Sequence, residues 1–176
     1  MLEALSALAE HTGSEVAVRV PNAPVEVEMD QRRVSRILRN VVANALDHGE
    51  GKPVEVTLEE RENSVAVTIR DHGVGLTPEE ATMVFDRFWR SDPARNRTTG
   101  GTGLGLAISL EDAKLHGGYL QVAGAPGEGA AFRLVLPRRQ DTPIAVEPGP
   151  VPFPTAPEPL PEAASIRGTA GTEVST

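Results

Sequence analysis

Two pairs of alternating segments, each joined by a short turn, limit most strongly the folds that this chain can adopt. Apolar residues alternate with polar ones over residues 54–58 and 65–69, on either side of a polar turn at residues 61–63. The pattern returns over residues 119–123 and 131–136, around a turn with two glycines. Such alternation indicates half-buried strands, and a short connection between two strands favours antiparallel pairing. The sequence therefore predicts a mostly antiparallel sheet rather than a doubly wound parallel one.

One long amphipathic helix is predicted between a first strand, at residues 16–20, and the first hairpin. Asp30 is placed to be its N-cap, because a carboxylate can accept the free N–H groups of a first helical turn. Its apolar stripe has the spacing of one helical face, at Val34, Ile37, Leu38, Val41, Val42 and Ala45. A short helix is predicted within residues 2–11 and another from about Leu104 to His116. The sum is an α+β fold, a two-layer α/β sandwich with helices on one face of a mixed, mostly antiparallel sheet.

Composition divides the chain near Pro137. Residues 140–176 hold eight of the 15 prolines and five acidic residues against the single Arg167, with no run that could bury an amphipathic face. Such a composition cannot offset the entropy cost of ordering the chain. We therefore predict one domain over residues 1–139 and a disordered, Pro-rich acidic tail over residues 140–176. The tail is an acidic spacer, a segment that binds a partner, or solvated chain without a role.

Charge and residue types exclude several classes of function. The net charge of −8 disfavours nucleic acid or an anionic membrane surface as a partner, because both attract clustered lysine and arginine. The absence of cysteine excludes disulfides and thiolate metal sites. Neither a secretory signal nor an apolar run of about 18 residues is present, so we expect a soluble, cytoplasmic chain without direct membrane contact. A longer parent protein with an upstream membrane segment remains compatible with this expectation.

Two asparagines form the first motif with possible chemistry. Asn40 and Asn44 lie four residues apart on the predicted long helix and therefore on one face of it. Amide oxygens are neutral ligands that suit Mg²⁺, which shares its coordination shell with waters and nucleotide phosphates. Taken alone, the pair is equally consistent with two exposed helical asparagines.

A second motif, Asp71-His-Gly73-Val-Gly75, follows directly after a predicted strand. A carboxylate at the end of a strand can accept a hydrogen bond from an amino group. Glycines at this spacing let the backbone approach a flat base closely and permit positive φ. In isolation, such a motif is more often only a turn.

The third and fourth motifs are adjacent. Residues 85–97 hold four arginines and three of the chain's six aromatic side chains. Arginines this close repel one another unless an anion lies among them, and polyphosphate is a suitable anion. Phe85, Phe88 and Trp89 are candidate docking anchors, with a locally packed surface loop as the alternative. A glycine-rich run at residues 100–105 then opens the last predicted helix, whose free N–H groups favour phosphate, although it matches neither a P-loop nor a dinucleotide-binding fingerprint.

In their order and spacing, these four motifs resemble the N, G1, F and G2 boxes of the GHKL, or Bergerat-fold, ATPases, and specifically those of sensor histidine kinases. The resemblance covers about residues 1–139. Residues 85–111, which include Phe-Trp-Arg-Ser-Asp-Pro, are particularly similar to the MtrB-type sensor kinases of actinobacteria. The resemblance implies a catalytic domain that binds ATP with Mg²⁺ and transfers the γ-phosphate to a histidine.

The resemblance also implies catalytic roles. Asn44 would ligand Mg²⁺, Asn40 would support the metal and the phosphates, and Arg90 would reach the γ-phosphate. The serine kinases of the anti-sigma type and the hydrolytic ATPases of the superfamily resemble one another in having Glu where this chain has Asn40. Because an amide cannot take a proton at pH 7, while a histidine acceptor brings its own lone pair, the sequence favours a histidine kinase.

For the nucleotide, the resemblance implies that Asp71 binds the adenine amino group and that Gly73 and Gly75 line the base pocket. Gly101, Gly103 and Gly105 would form the ATP lid, and Thr102 and Leu104, which lie between them, would also bind the nucleotide. This lid, about residues 91–103, combines glycines with mutually repelling arginines, so we expect it to gain order when nucleotide binds.

Two departures from the family pattern remain. Many members have a lysine where this chain has Asp47, so a degenerate kinase that binds nucleotide only to regulate docking stays open as an alternative. The domain for dimerisation and phosphoacceptance is not recognisable, since His11, His48, His72 and His116 have none of its sequence contexts. The expected partners are therefore a separate phosphoacceptor domain and a downstream response regulator, with the parent kinase anchored in a membrane.

Overall fold

The computed structural model of the chain describes residues 14–91, 102–140 and 142–144, and the backbone of residues 164–166. The helix predicted within residues 2–11 lies outside these ranges. In chain order, the described elements are β1 (Val16–Arg19), α1 (Gln31–His48), β2 (Val54–Glu60), β3 (Ser64–Arg70), α2 (Pro78–Met83), α3 (Gly105–Leu115), β4 (Tyr119–Ala125), β5 (Gly129–Pro137) and β6 (Ala164–Ile166). None of the described helices is long and apolar enough to cross a membrane.

The strands form one sheet in the order β4-β5-β3-β2-β1-β6. β1 runs parallel to β2, and each of the other pairings between described strands is antiparallel. Both predicted hairpins are present, with Val56 opposite Ile69 in the first and Val122 opposite Phe132 in the second. The prediction of a two-layer α/β sandwich with a mixed, mostly antiparallel sheet is confirmed. The first strand is shorter than predicted, because Val20 lies beyond β1 and is 61% exposed.

The long helix α1 supplies one side of the core. Asp30 is its N-cap as predicted, because Oδ1 accepts from two backbone N–H groups of the first turn at 2.9 and 3.2 Å. Every residue of the predicted apolar stripe is buried, and Leu46 extends it by one position. This stripe packs against inward-facing strand residues such as Phe132 and Leu134, which fixes α1 over the sheet.

Polar contacts hold α3 beside α1. The carboxylate of Asp112, a residue that is 2% exposed, accepts from Arg33 Nη1 at 2.9 Å and from Arg36 Nε at 2.8 Å. Further along α3, His116 Nε2 accepts from the backbone N–H of Asp30 at 3.1 Å. The other ring nitrogen, Nδ1, lies 2.6 Å from the carbonyl oxygen of Asp112 and donates to it. These contacts fix the C-terminal end of α3 against the start of α1, while the start of α3 lies next to Asn40.

Part of the predicted tail reaches the sheet. Residues 164–166 form β6, antiparallel to β1, with Ile166 opposite Val16. At these three residues the structure departs from the expectation of disorder, because the edge of β1 offers backbone groups for pairing. Most of residues 140–176 lies outside the described ranges, so the division of the chain at residue 139 stays a prediction.

Candidate functional site

Three of the predicted site residues, Asn44, Asp71 and Gly75, meet at a cavity of about 200 Å³ beside the end of β3. Its lining includes Asn44, His48, Asp71, Gly75, Trp89 and Ala130. The volume is below the roughly 300–1,000 Å³ of typical sites for drug-sized ligands, so the cavity matches a base better than a whole nucleotide.

Asp71 is the buried acceptor of this cavity, directly after β3 and 1% exposed. Its Oδ1 accepts from the backbone N–H groups of Gly73 at 3.0 Å and Ala130 at 3.3 Å. Among the described residues, no group donates to the second oxygen, Oδ2. Burial raises the pKa of Asp71 above its ordinary value, although the two backbone hydrogen bonds act in the opposite direction. The backbone therefore orients the carboxylate and leaves one oxygen for a donor from a ligand.

The two glycines of the Asp71 motif are required by packing. A Cβ at Gly73 would lie 1.8 Å from the carbonyl oxygen of His48, at the end of α1. A Cβ at Gly75 would lie 1.8 Å from the carbonyl oxygen of Ala125, and Gly75 also has a φ of +72°. Gly75 lines the cavity, whereas Gly73 supports it from behind through its hydrogen bond to Asp71. The motif is thus more than a turn, because it joins α1 to the β4–β5 hairpin.

Replacing Gly75 with alanine is expected to destabilise the fold by about 3 kcal/mol, since a backbone collision adds to the strain of positive φ. Gly127→Ala is the matched control, because Gly127 has a φ of +79° and no atom lies within 4 Å of the place that its Cβ would take. In that control, the strain of positive φ alone should lower the free energy of unfolding by only about 1–2 kcal/mol. Urea unfolding of both variants measures the difference, and equal losses would show that the collision at Gly75 has no effect.

The two asparagines of α1 lie in different surroundings. Asn44 is half-buried and lines the cavity. Asn40, one turn earlier, donates from Nδ2 to the carbonyl oxygen of Gly105 at 3.0 Å and to Ser109 Oγ at 3.1 Å. The described residues contain no group of three His, Cys, Asp or Glu side chains that could hold a metal ion. A metal ion at this site would therefore depend on amide oxygens and on the ligand's own phosphates.

The aromatic segment before the lid differs from the prediction. Phe85 packs edge to face on Phe132, with ring centroids 6.3 Å apart, and belongs to the core periphery rather than to a docking surface. Trp89 lines the cavity, so of the three candidate anchors only Phe88 is exposed, at 70%. Arg90 is half-buried and lies between two cavity residues in sequence, Trp89 and Ser91. The segment thus forms one wall of the cavity.

The predicted lid is described only at its two ends, since residues 92–101, with Gly101, lie outside the described ranges. Gly103 has a φ of +67°, and its carbonyl oxygen accepts from the backbone N–H of Phe88 at 2.9 Å. Thr102 is exposed. Leu104 is the N-cap residue of α3 and provides no side-chain cap, so the N–H groups of the first turn are open to another acceptor.

Sequence reasoning missed several cavity residues. Ala130 has no local signal, because it reaches Asp71 only through the pairing of β3 with β5. His48 draws attention in the sequence only as a possible phosphoacceptor, not as part of a cavity wall. Glu80 lines the cavity and also closes a capping box with Thr77, a pattern that is visible in the sequence.

Comparison with known proteins identifies the family. Residues 29–140 match the family described as "Histidine kinase-, DNA gyrase B-, and HSP90-like ATPase", and the chain belongs to this family. The sensor histidine kinase MtrB of Mycobacterium tuberculosis (strain ATCC 25618 / H37Rv) is 56% identical over 144 residues, which cover 82% of this chain and 25% of that protein. MtrB of Mycobacterium leprae (strain TN) is 51% identical over 166 residues, 94% of this chain and 29% of that protein.

One solved structure has the same architecture as this chain and is also similar to it in sequence. The mycobacterial sensor histidine kinase MprB matches with a TM-score of 0.65 and 34% identity, over 80% of this chain and 97% of that chain. The resemblance to the Bergerat-fold domain of sensor histidine kinases, and to the MtrB type, is confirmed. Within its family, the chain is a catalytic ATPase domain of the histidine kinase kind, and the serine-kinase and degenerate-kinase alternatives are not favoured. The chain spans about a quarter of the length of the curated relatives it matches.

Proposed function

We propose that this chain binds Mg²⁺-ATP and transfers the γ-phosphate to a histidine on a separate phosphoacceptor domain. The observation that carries the proposal is the buried carboxylate of Asp71, with Oδ2 left without a donor among the described residues, in one cavity with Asn44. A solved structure of full-length ShkA in complex with AMPPNP matches this chain with a TM-score of 0.67 and 30% identity, over 76% of this chain and 27% of that chain. Because AMPPNP is an analogue of ATP, this match supports a nucleotide at the equivalent place.

Asp71 supplies the recognition of the base. Its Oδ2 accepts a hydrogen bond from the exocyclic amino group of adenine, in surroundings where water competes poorly for that hydrogen bond. Guanine has a carbonyl oxygen at that position, which would oppose the carboxylate oxygen. The site therefore selects ATP over GTP. Gly75 keeps the cavity wall free of a side chain, which suits a flat ring.

Three residues, beyond those that bind the base, interact with Mg²⁺ and the phosphates. Asn44 holds Mg²⁺ through its amide oxygen, Asn40 supports the metal and phosphates, and Arg90 reaches the γ-phosphate. When bound, Mg²⁺ neutralises charge on the phosphates. Gly101, Gly103 and Gly105 form the lid, and Thr102 and Leu104 bind the nucleotide beside them. The N–H groups at the start of α3 donate to phosphate oxygens.

The acceptor is a histidine because the site offers no general base at Asn40. Phosphoryl transfer requires mainly positioning and charge neutralisation, and an imidazole nitrogen attacks with its own lone pair. The partners are therefore a phosphoacceptor domain and, through it, a response regulator. We place the chain in the cytoplasm of a cell whose parent kinase is anchored in the membrane, without contact of this domain with nucleic acid or lipid.

Calorimetric titration tests the nucleotide site. Wild-type chain should bind ATP more tightly with Mg²⁺ than with EDTA, and should bind GTP weakly. Asn44→Ala should lose most of the gain from Mg²⁺, whereas Asn63→Ala, in the exposed β2–β3 turn, should behave as wild type. The absence of ATP binding by the wild type, or an unchanged Mg²⁺ gain in Asn44→Ala, would contradict the proposal.

A further inference from the structure

We infer that Ser109 is a positioning residue, which helps to fix the orientation of the Asn40 amide and so presents its oxygen to the metal. This inference rests on the proposed function, since it concerns how α1 offers Asn40 to Mg²⁺-ATP. Nothing in the four sequence motifs points to Ser109, which lies a full turn inside α3.

The contacts of Ser109 form a closed triangle. Ser109 is 0% exposed, and its Oγ donates to the carbonyl oxygen of Gly105, one turn earlier on α3, at 2.8 Å. Asn40 Nδ2 donates to that same carbonyl oxygen at 3.0 Å and to Ser109 Oγ at 3.1 Å. Two of these three hydrogen bonds join α1 to α3, and the third lies within α3.

The hydrogen-bonding groups of this triangle favour one orientation of the amide. The Gly105 carbonyl can only accept, and the single hydroxyl proton of Ser109 is used in donating to it. Both neighbours therefore accept from Asn40, so its NH₂ end must face α3. With the amide turned over, Oδ1 would face the Gly105 carbonyl oxygen, and the Ser109 hydroxyl could donate to Oδ1 only by giving up its hydrogen bond to that carbonyl. Oδ1 is consequently the atom that remains available to a ligand.

Packing keeps this arrangement from slipping. A Cβ at Gly105 would lie 3.4 Å from Asn40 Cγ, so the amide is close against the first residue of α3. Three residues beyond Ser109, the buried carboxylate of Asp112 holds Arg33 and Arg36 of α1. The distance between the helices is thus set independently of Asn40. The Gly105 carbonyl and Ser109 Oγ together then hold the NH₂ end of the amide toward α3 and leave Oδ1 toward the site.

The test separates positioning from simple core support. Ser109→Ala should lower the affinity for Mg²⁺-ATP by about three- to tenfold, the loss of one hydrogen bond, while affinity in EDTA stays near that of wild type. Ser109→Thr keeps the hydroxyl and should restore the Mg²⁺ gain. In an Asn40→Ala background, Ser109→Ala should cause no further loss, because the effect passes through Asn40. Ser35→Ala, the same change on α1 outside this triangle, serves as the matched control.

Several results would overturn the inference. Equal losses with Mg²⁺ and with EDTA would show that Ser109 only supports the core, and additive losses in the double variant would show that it does not act through Asn40. If Ser109→Ala does not fold, Ser109→Cys keeps a side chain of the same shape with a weaker hydrogen-bonding group and gives the same comparison. An unaffected Ser109→Ala beside a defective Asn44→Ala overturns the positioning role alone. A wild type without Mg²⁺-dependent ATP binding overturns the proposed function, and this inference with it.

Discussion

The Asp71→Asn variant is expected to lose about 10- to 100-fold in ATP affinity, the equivalent of a charged hydrogen bond of about 1.5–3 kcal/mol. The backbone N–H groups of Gly73 and Ala130 both donate to one side-chain oxygen. They will hold the asparagine oxygen in that place and so put its NH₂ where Oδ2 stands. The adenine amino group would then meet a donor instead of an acceptor. Asp86→Asn, an exposed carboxylate, is the control and should bind as wild type.

The same variant should be at least as stable as the wild type at neutral pH. Burial raises the folded-state pKa of Asp71, so this carboxyl favours folding while it is protonated. Its contribution is complete below the unfolded-state pKa and is lost as pH rises through the folded-state value. A neutral asparagine does not undergo this loss. The stability of Asp71→Asn relative to the wild type should therefore be greatest near pH 7 and decrease toward acid pH. Urea unfolding across that pH range measures the difference in stability between the variant and the wild type. For the affinity prediction, equal ATP affinities of the two proteins would remove Asp71 from the site.

The fold was predictable because its signals are local. Hairpin alternation and the stripe on α1 are both read within a few residues, and both are present in the structure. Asn44, Asp71 and Gly75 were likewise recognisable, since each belongs to a short motif next to a predicted element. The strand at residues 164–166 was not, because pairing with the edge of β1 depends on tertiary position and not on composition.

The remainder of the site depends on contacts between distant segments. Phe85 and Trp89 have the same aromatic character in sequence, yet one packs on Phe132 and the other lines the cavity. The contact of Asn40 with Ser109 requires the packing of α3 on α1, which no spacing within either helix encodes. Periodicity predicts which face of a helix is apolar. It does not predict which residue of another element contacts a polar side chain on that helix.

The second large effect concerns phosphoryl transfer. We expect no phosphorylation of the chain alone, and transfer to a phosphoacceptor domain of the MtrB type supplied as a separate polypeptide. Asn44→Ala and Arg90→Ala should each slow the transfer by about 100-fold or more, because each removes a group that stabilises charge in the transition state. Asn63→Ala and Arg32→Ala change the same residue types at exposed positions and should retain the wild-type rate.

These rates bear on the division of roles within the site. A defect in transfer with ATP binding retained would place Arg90 at the γ-phosphate, since each tenfold in rate corresponds to about 1.4 kcal/mol of transition-state stabilisation. Loss of binding in parallel with transfer would instead place Arg90 in ground-state recognition. Wild-type rates in both variants would leave the charge-handling part of the proposal without support.

The central claim is tested most directly by incubating the chain with γ-labelled ATP and Mg²⁺, alone and with the phosphoacceptor domain, followed by acid treatment. Phosphohistidine is labile in acid, whereas phosphoserine is stable. A histidine kinase domain predicts no label on the chain alone and label on the acceptor domain that acid removes. Label on the chain alone, acid-stable label on either protein, or no transfer despite tight ATP binding would contradict it.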